Sequence, residues 1–302
     1  CNTVTQITIP DSVKLINAGG FGGMANLTSV ILGSGVEVLG EQAFAYCQKL
    51  TTVILGHWDW DNETMTESSL KRIGKQAFYA CKLLASIEIP ETVESIGGYA
   101  FRQTAISSNA STGIVYVGTD NMWAVDWDIN ILFSDGRLKD GIVGISEYAF
   151  MGAMTLNSLF VIPESVQYLN RAAFYKSQFL GIALPSNLKR IEEYTFCECP
   201  QLLDIGYMKD SEFVFGLPEG LEYIGQSAFE SCAFLGLTVD EAGYLQDREI
   251  TLTIPDSVKT IGKFAFSNCN NLTDFSIPPT LKTIEDRAFF EKNKDVIVYL
   301  PD

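Results

Sequence analysis

Two stretches of this 302-residue chain concentrate the side chains that could do chemistry. One holds His57, Trp58, Asp59, Trp60, Asp61 and Glu63; the other holds Asp120, Trp123, Asp126, Trp127, Asp128 and Asn130. All four Trp residues of the chain lie in them. A Trp ring beside carboxylates can stack on a sugar or anchor a protein partner. The same rings can instead fold back over the protein and leave the acids solvated, because large apolar rings rarely stay free. Calcium is a weaker reading. Asp59-x-Asp61-x-Glu63 and Asp126-x-Asp128-x-Asn130 both lack the Gly and the bidentate Glu of a calcium loop.

Catalytic chemistry finds little to work with. His57 is the single His, and no Cys stands beside it, so a Ser-His or Cys-His pair has one base to draw on. No Gly-x-Ser-x-Gly, His-Glu-x-x-His, P-loop or Gly-x-Gly-x-x-Gly string occurs. No Cys-x-x-Cys pair marks a zinc site. These residues predict no enzyme, no cofactor and no metal. With 21 Lys+Arg against 37 Asp+Glu, the net charge of −16 repels nucleic acid and anionic membranes. No apolar run approaches the roughly 18 residues of a membrane span. The hydrophobic share of 47% is too high for disorder.

What must position these stretches is a repeat. Ten Phe residues mark it: Phe21, Phe44, Phe78, Phe101, Phe150, Phe174, Phe196, Phe229, Phe266 and Phe289. Eight of the ten follow Ala, and seven have Pro eleven residues upstream. All ten carry Ile or Leu five residues before and an aliphatic residue eight before. An Ile-x-Ile step such as Ile7-Thr8-Ile9 or Ile87-Glu88-Ile89 has period two, so both Ile point inward and the middle residue outward. Pro then ends the strand, because it cannot donate a ladder hydrogen bond. Gly stands four before Phe in five repeats (Gly40, Gly74, Gly97, Gly225, Gly262), at a position awkward for side chains. The Ala-Phe pair suits a short helical turn whose Phe fills the interior. One such unit cannot bury its own apolar face, so units stack, their strands form one parallel sheet and their Phe rings a column.

The string Ile-Pro-x-x-Val-x-x-Ile-Gly-x-x-Ala-Phe-x-x-Cys, nearly intact at Ile254–Cys269, resembles the leucine-rich repeats of the BspA type. That resemblance covers essentially the whole chain. It implies an α/β repeat solenoid, a leucine-rich repeat horseshoe of about ten coils of 23 residues. The parallel β-sheet would line its concave face and short helical turns its convex face. It also implies a secreted or cell-surface location, with signal and anchor outside this chain, and adhesion to host or matrix proteins. The expectation is therefore a non-enzymatic binding module with a protein ligand. A glycan ligand, or a spacer role in a larger surface protein, are the alternatives.

Five Cys (Cys47, Cys81, Cys199, Cys232, Cys269) sit three residues after a marker Phe; Cys1 fits the same slot and Cys197 does not. A column of small buried thiols is the simpler reading. Disulfides between neighbouring rungs, about 5 Å apart, are the alternative.

A single solenoid over residues 1–302 is expected, with insertions near 56–67, 118–139, 206–216 and 238–250. The third reads as a hairpin of Asp204–Tyr207 with Glu212–Leu217, and the fourth as Leu235–Val239 with Ile250–Ile254. Candidate partner-binding residues are the outward sheet positions Ile31, Ile54, Glu88, Tyr116 and Val161, and the inserted Trp58, Trp60, Trp123 and Trp127.

Overall fold

The computed structural model describes residues 3–56, 58–59, 64–65, 68–108, 113–128, 138–154, 159–239, 245–247, 252–272, 274–290 and 297–299. Among the described residues the chain is a stack of Phe-marked coils with short parallel strands. It divides into two compact units. The first holds Cys1–Asp128 and Gly141–Ala149; the second holds Ile129–Asp140 and Phe150–Asp302.

In the first unit, β1 (Gln6–Thr8), β2 (Ser29–Leu32) and β3 (Thr52–Leu55) pair in parallel, with Thr8, Ile31 and Ile54 in register. β4 (Trp58–Asp59) and β5 (Thr64–Met65) form an antiparallel hairpin after β3. β6 (Ile114–Val117) pairs antiparallel with β7 (Met122–Trp127), which pairs in parallel with β8 (Ile142–Ile145). In the second unit, β9 (Phe160–Val161), β10 (Gly181–Leu184) and β11 (Asp204–Lys209) are parallel, and β12 (Glu212–Phe215) returns antiparallel on β11. β13 (Leu237–Val239) pairs antiparallel with β14 (Leu245–Asp247). β15 (Leu252–Thr253), β16 (Asp274–Ser276) and β17 (Ile297–Tyr299) complete a parallel set. The expected single parallel sheet is cut into segments, and at one break the inserted strand β12 takes the edge of β11. The fourth insertion pairs differently from expectation. Leu237–Val239 faces Leu245–Asp247, while Leu252 and Thr253 join the parallel set.

The marker Phe residues form the expected columns. In the first unit the ring centroids step by 5.3, 5.6 and 5.5 Å from Phe21 through Phe44 and Phe78 to Phe101. In the second they step by 5.3, 5.4, 5.3, 5.1 and 5.6 Å from Phe150 through Phe174, Phe196, Phe229 and Phe266 to Phe289. These are stacking distances for aromatic rings. Phe44, Phe78, Phe150, Phe174, Phe196 and Phe229 are fully buried.

The helical turns do not form. Among the described residues the one α-helix is α1 (Ala105–Ser108), outside the Ala-Phe segments. Around each Phe the backbone alternates instead. The residues two before it, and each described residue two after it, lie at positive φ, as in Gln42 (55°) and Tyr46 (63°), Gln76 (55°) and Ala80 (58°), or Tyr194 (58°) and Glu198 (55°). Their amides, with that of Phe, point to the next coil: Gln42 N to Lys75 O at 2.9 Å, Phe44 N to Ala77 O at 2.8 Å, Tyr46 N to Tyr79 O at 2.8 Å. Intervening amides stay inside the coil, as in Ala45 N to Gln42 O at 3.1 Å. A helix would send every N–H to its own coil and leave neighbouring coils unbridged. Left-handed backbone costs a non-Gly residue about 1–2 kcal/mol, and the bridges to the next coil offset it. The glycines four before Phe serve close approach, not handedness. A Cβ on Gly74 would stand 2.6 Å from the Gly40 carbonyl carbon, and one on Gly97 2.4 Å from Lys75 N.

Candidate functional site

The slot three after Phe combines size with hydrogen bonding. Cys47, Cys81, Cys199, Cys232 and Cys269 each donate S–H to the marker Phe carbonyl of the preceding coil, at 3.1–3.2 Å. Six described Cys are free thiols, so the disulfide alternative does not hold for them; Cys1 lies outside the described residues. Burial pushes the Cys81 thiol up to about 12, with Cys47 adding to the effect. Burial does the same to Cys197. A protonated, buried thiol is neither nucleophile nor ligand. Ser and Thr fill this slot with other partners, and Thr104 bonds within its own coil. Ser177 Oγ meets Cys199 Sγ at 3.3 Å, and Thr104 Oγ1 donates to Phe101 O at 2.6 Å.

The inserted Trp residues separate into two groups. His57 and Trp60 lie outside the described residues, as does the ring of Trp58, whose backbone belongs to β4. Trp123 and Trp127 do not form an accessible surface: they are 0% and 7% exposed on β7. This corrects their candidacy as binding residues. The segment is not a loop but an added strand, and its Trp rings join the core. Gly144, directly opposite Trp123 on β8, makes the room: a Cβ there would stand 2.4 Å from the indole ring. A Gly inside a strand sequence is the signal that could have located this contact.

Asp126 follows the Trp residues inward. Its Oδ1 accepts the Trp127 N–H at 2.9 Å, and its Oδ2 stands 3.8 Å from Arg102 Nε. Burial raises its pKa; Arg102 and the amide bond oppose this. Arg102 also lies over the Tyr99 ring at 5.0 Å, and Tyr99 stacks on Tyr148 at 6.1 Å. This cluster fastens the inserted strand to its neighbouring coils. Asp128 is exposed and Asn130 lies outside the described residues. Among the described residues no group of three or more His, Cys, Asp or Glu is placed to hold a metal ion.

The outward sheet positions behave differently in each unit. In the first, Thr8 is exposed and Ile31 and Ile54 are half-buried neighbours in register. Glu88, the outward residue of the next coil, is exposed. Its Oε2 accepts Thr119 N at 3.1 Å and Thr119 Oγ1 at 2.8 Å. Tyr116 is half-buried on β6. In the second unit Val161 is half-buried, Ala183 fully buried, and Gly206 follows in register. The Phe213 ring lies over Gly206, 2.5 Å from where a Cβ would be.

Parallel strands joined by tight turns, one inward Phe per coil and a thiol slot bridging coils define a leucine-rich repeat solenoid. The chain belongs to the family described as BspA type leucine rich repeat region, matched by six copies over residues 1–117, 130–242 and 238–301. Solved structures similar to it include a leucine rich cell surface protein from Faecalibacterium prausnitzii, 21% identical, covering 94% of this chain and 79% of that one, TM-score 0.42. A leucine-rich repeat protein from Eubacterium ventriosum is 19% identical, covering 99% and 84%, TM-score 0.42. The pneumococcal vaccine antigen PcpA is 17% identical, covering 98% and 80%, TM-score 0.41. Among curated proteins nothing matches. No helix among the described residues is long and apolar enough to cross a membrane.

Proposed function

We propose that this chain is a protein-recognition module of a secreted or cell-surface protein, without catalytic activity, and that the outward face of β1–β3 makes the contact. The observation that carries this reading is the aligned Thr8–Ile31–Ile54 strip, uncharged in a chain of net charge −16. Aliphatic side chains left accessible on a regular sheet face suit a protein partner, and repeat solenoids typically bind through such extended faces. Membership of the family supports the same reading. The glycan alternative loses support because Trp123 and Trp127 are buried. An array of purified extracellular and matrix proteins, probed with the wild-type chain and an Ile31→Asp/Ile54→Asp variant, tests the proposal. Proteins retained by wild type should bind the variant at least about tenfold more weakly, one buried contact's worth. Equal binding by both chains would refute the assignment of this face, and retention on glycans alone would refute a protein ligand.

A further inference from the structure

The outward residues of β1–β3 are Gln6 and Thr8, Ser29 and Ile31, and Thr52 and Ile54, in register; Ser86 and Glu88, both exposed, hold the matching positions of the next coil. Glu88 is the one charge among them. On a face otherwise neutral, it is a local feature and not a sample of the chain's general acidity.

Its carboxylate is oriented before any partner arrives. Both bonds from Thr119 land on Oε2, at 3.1 and 2.8 Å. Thr119 is itself held. Gly118 N donates to Ile87 O at 3.1 Å, and Asn121 Nδ2 donates to Pro90 O at 2.7 Å in a buried bond. No described residue donates a hydrogen bond to Oε1. A carboxylate fixed through one oxygen, on an exposed residue, loses little side-chain entropy on pairing with a cation.

We propose that the face of β1–β3 takes an extended protein segment. It lays aliphatic side chains along Ile31 and Ile54 and sets a Lys or Arg against Oε1 of Glu88. This refinement rests on the protein-recognition reading above, and adds the partner's chemistry: a neutral, aliphatic stretch with one cation at a fixed offset. The competing role for Glu88 is purely structural, holding the 118–121 segment. Glu88→Gln separates the two, because a Gln carbonyl oxygen still accepts both Thr119 bonds while carrying no charge.

The test pans a display library of random linear peptides on the intact chain. Retained peptides are re-measured on Ile31→Asp/Ile54→Asp, Glu88→Gln and Glu88→Lys variants, with Thr119 amide exchange as the check on local structure. Peptides dependent on Ile31 and Ile54 should share a Lys or Arg at constant distance from an aliphatic pair. They should weaken about tenfold on Glu88→Gln, more on Glu88→Lys, and progressively with added salt. Ile-dependent peptides that lack a basic residue and bind Glu88→Gln as well as wild type would overturn the cation assignment alone. Finding no peptide that distinguishes wild type from the double Ile variant would overturn the recognition reading as well.

Discussion

The same coil shows its sheet face in one unit and covers it in the other. In the first unit the line Thr8–Ile31–Ile54 stays accessible, and the insertion that follows begins after β3. In the second unit the line Val161–Ala183–Gly206 ends beneath Phe213, because the inserted strand β12 turns straight back on β11 across Asp210 (φ 50°) and Ser211 (φ 70°). The cores do not explain this difference, since both units stack Phe rings at about the same spacing. What is spliced between coils explains it. The returning strand β12 extends the sheet at β11 and carries the Phe213 ring over Gly206, whereas the hairpin β4–β5 pairs with itself and not with β3. Access to the sheet face in such a stack is therefore set by its irregularities, and stability by its repeats.

Core substitutions test that division first, and should have the largest effect. Phe44→Ala and Phe174→Ala each delete a buried ring between two stacked neighbours and should cost about 3–5 kcal/mol in urea unfolding. Phe174 should lie at the upper end, because Phe160 and Phe179 also pack edge-on against it at 5.7 and 5.9 Å. A loss within error at either position would mean that the columns are not what holds the units. Gly144→Ala comes next. Its methyl would collide with the Trp123 ring, and overpacking of this kind costs about 1–3 kcal/mol. Quenched or shifted Trp fluorescence in the folded variant would locate the damage at β7, and an unchanged spectrum would count against the contact.

How much of this was readable beforehand follows from spacing. The aliphatic positions and the Cys slot keep a constant offset from each marker Phe whatever is inserted between coils, so residues in one register had to share one environment. The β11–β12 hairpin was readable because its two strands are contiguous. The turn geometry was not. Left-handed backbone is imposed at Gln42, Tyr46, Gln76 and Ala80 by hydrogen bonds to carbonyls 22 or 33 residues further on, and none of these residues advertises it. The burial of Trp123 was equally hidden. Its acidic neighbours read as solvent-facing, and the Gly144 that admits it lies 21 residues further on.

Substitutions on the two faces sharpen the comparison at smaller cost. Phe213→Ser removes the cover over Gly206 and should destabilise by about 1 kcal/mol, the value of a partly buried ring. Amide exchange at Ala183 and Gly206 should then accelerate. Ile31→Ser, on the open face, should change stability by no more than about 0.5 kcal/mol. If the two changes cost the same, the second face is not covered in any energetic sense.

The smallest effect concerns the charge that the inserted strand carries inward. Burial raises the Asp126 pKa above its unfolded value, Arg102 notwithstanding, so folding takes up a proton there at intermediate pH. A raised carboxyl contributes no penalty while it is protonated in both states. It costs stability as pH climbs from the unfolded pKa through the folded one, and the cost is constant above that. Asp126→Asn removes this titration. The difference in unfolding free energy between variant and wild type should therefore favour Asn near neutrality and shrink as the pH falls toward the ordinary carboxylate range. Measuring the difference cancels the background from the other carboxylates, which both chains share. A gap that widens on acidification would mean that the Arg102 pairing outweighs burial, and that Asp126 fastens β7 most firmly when charged.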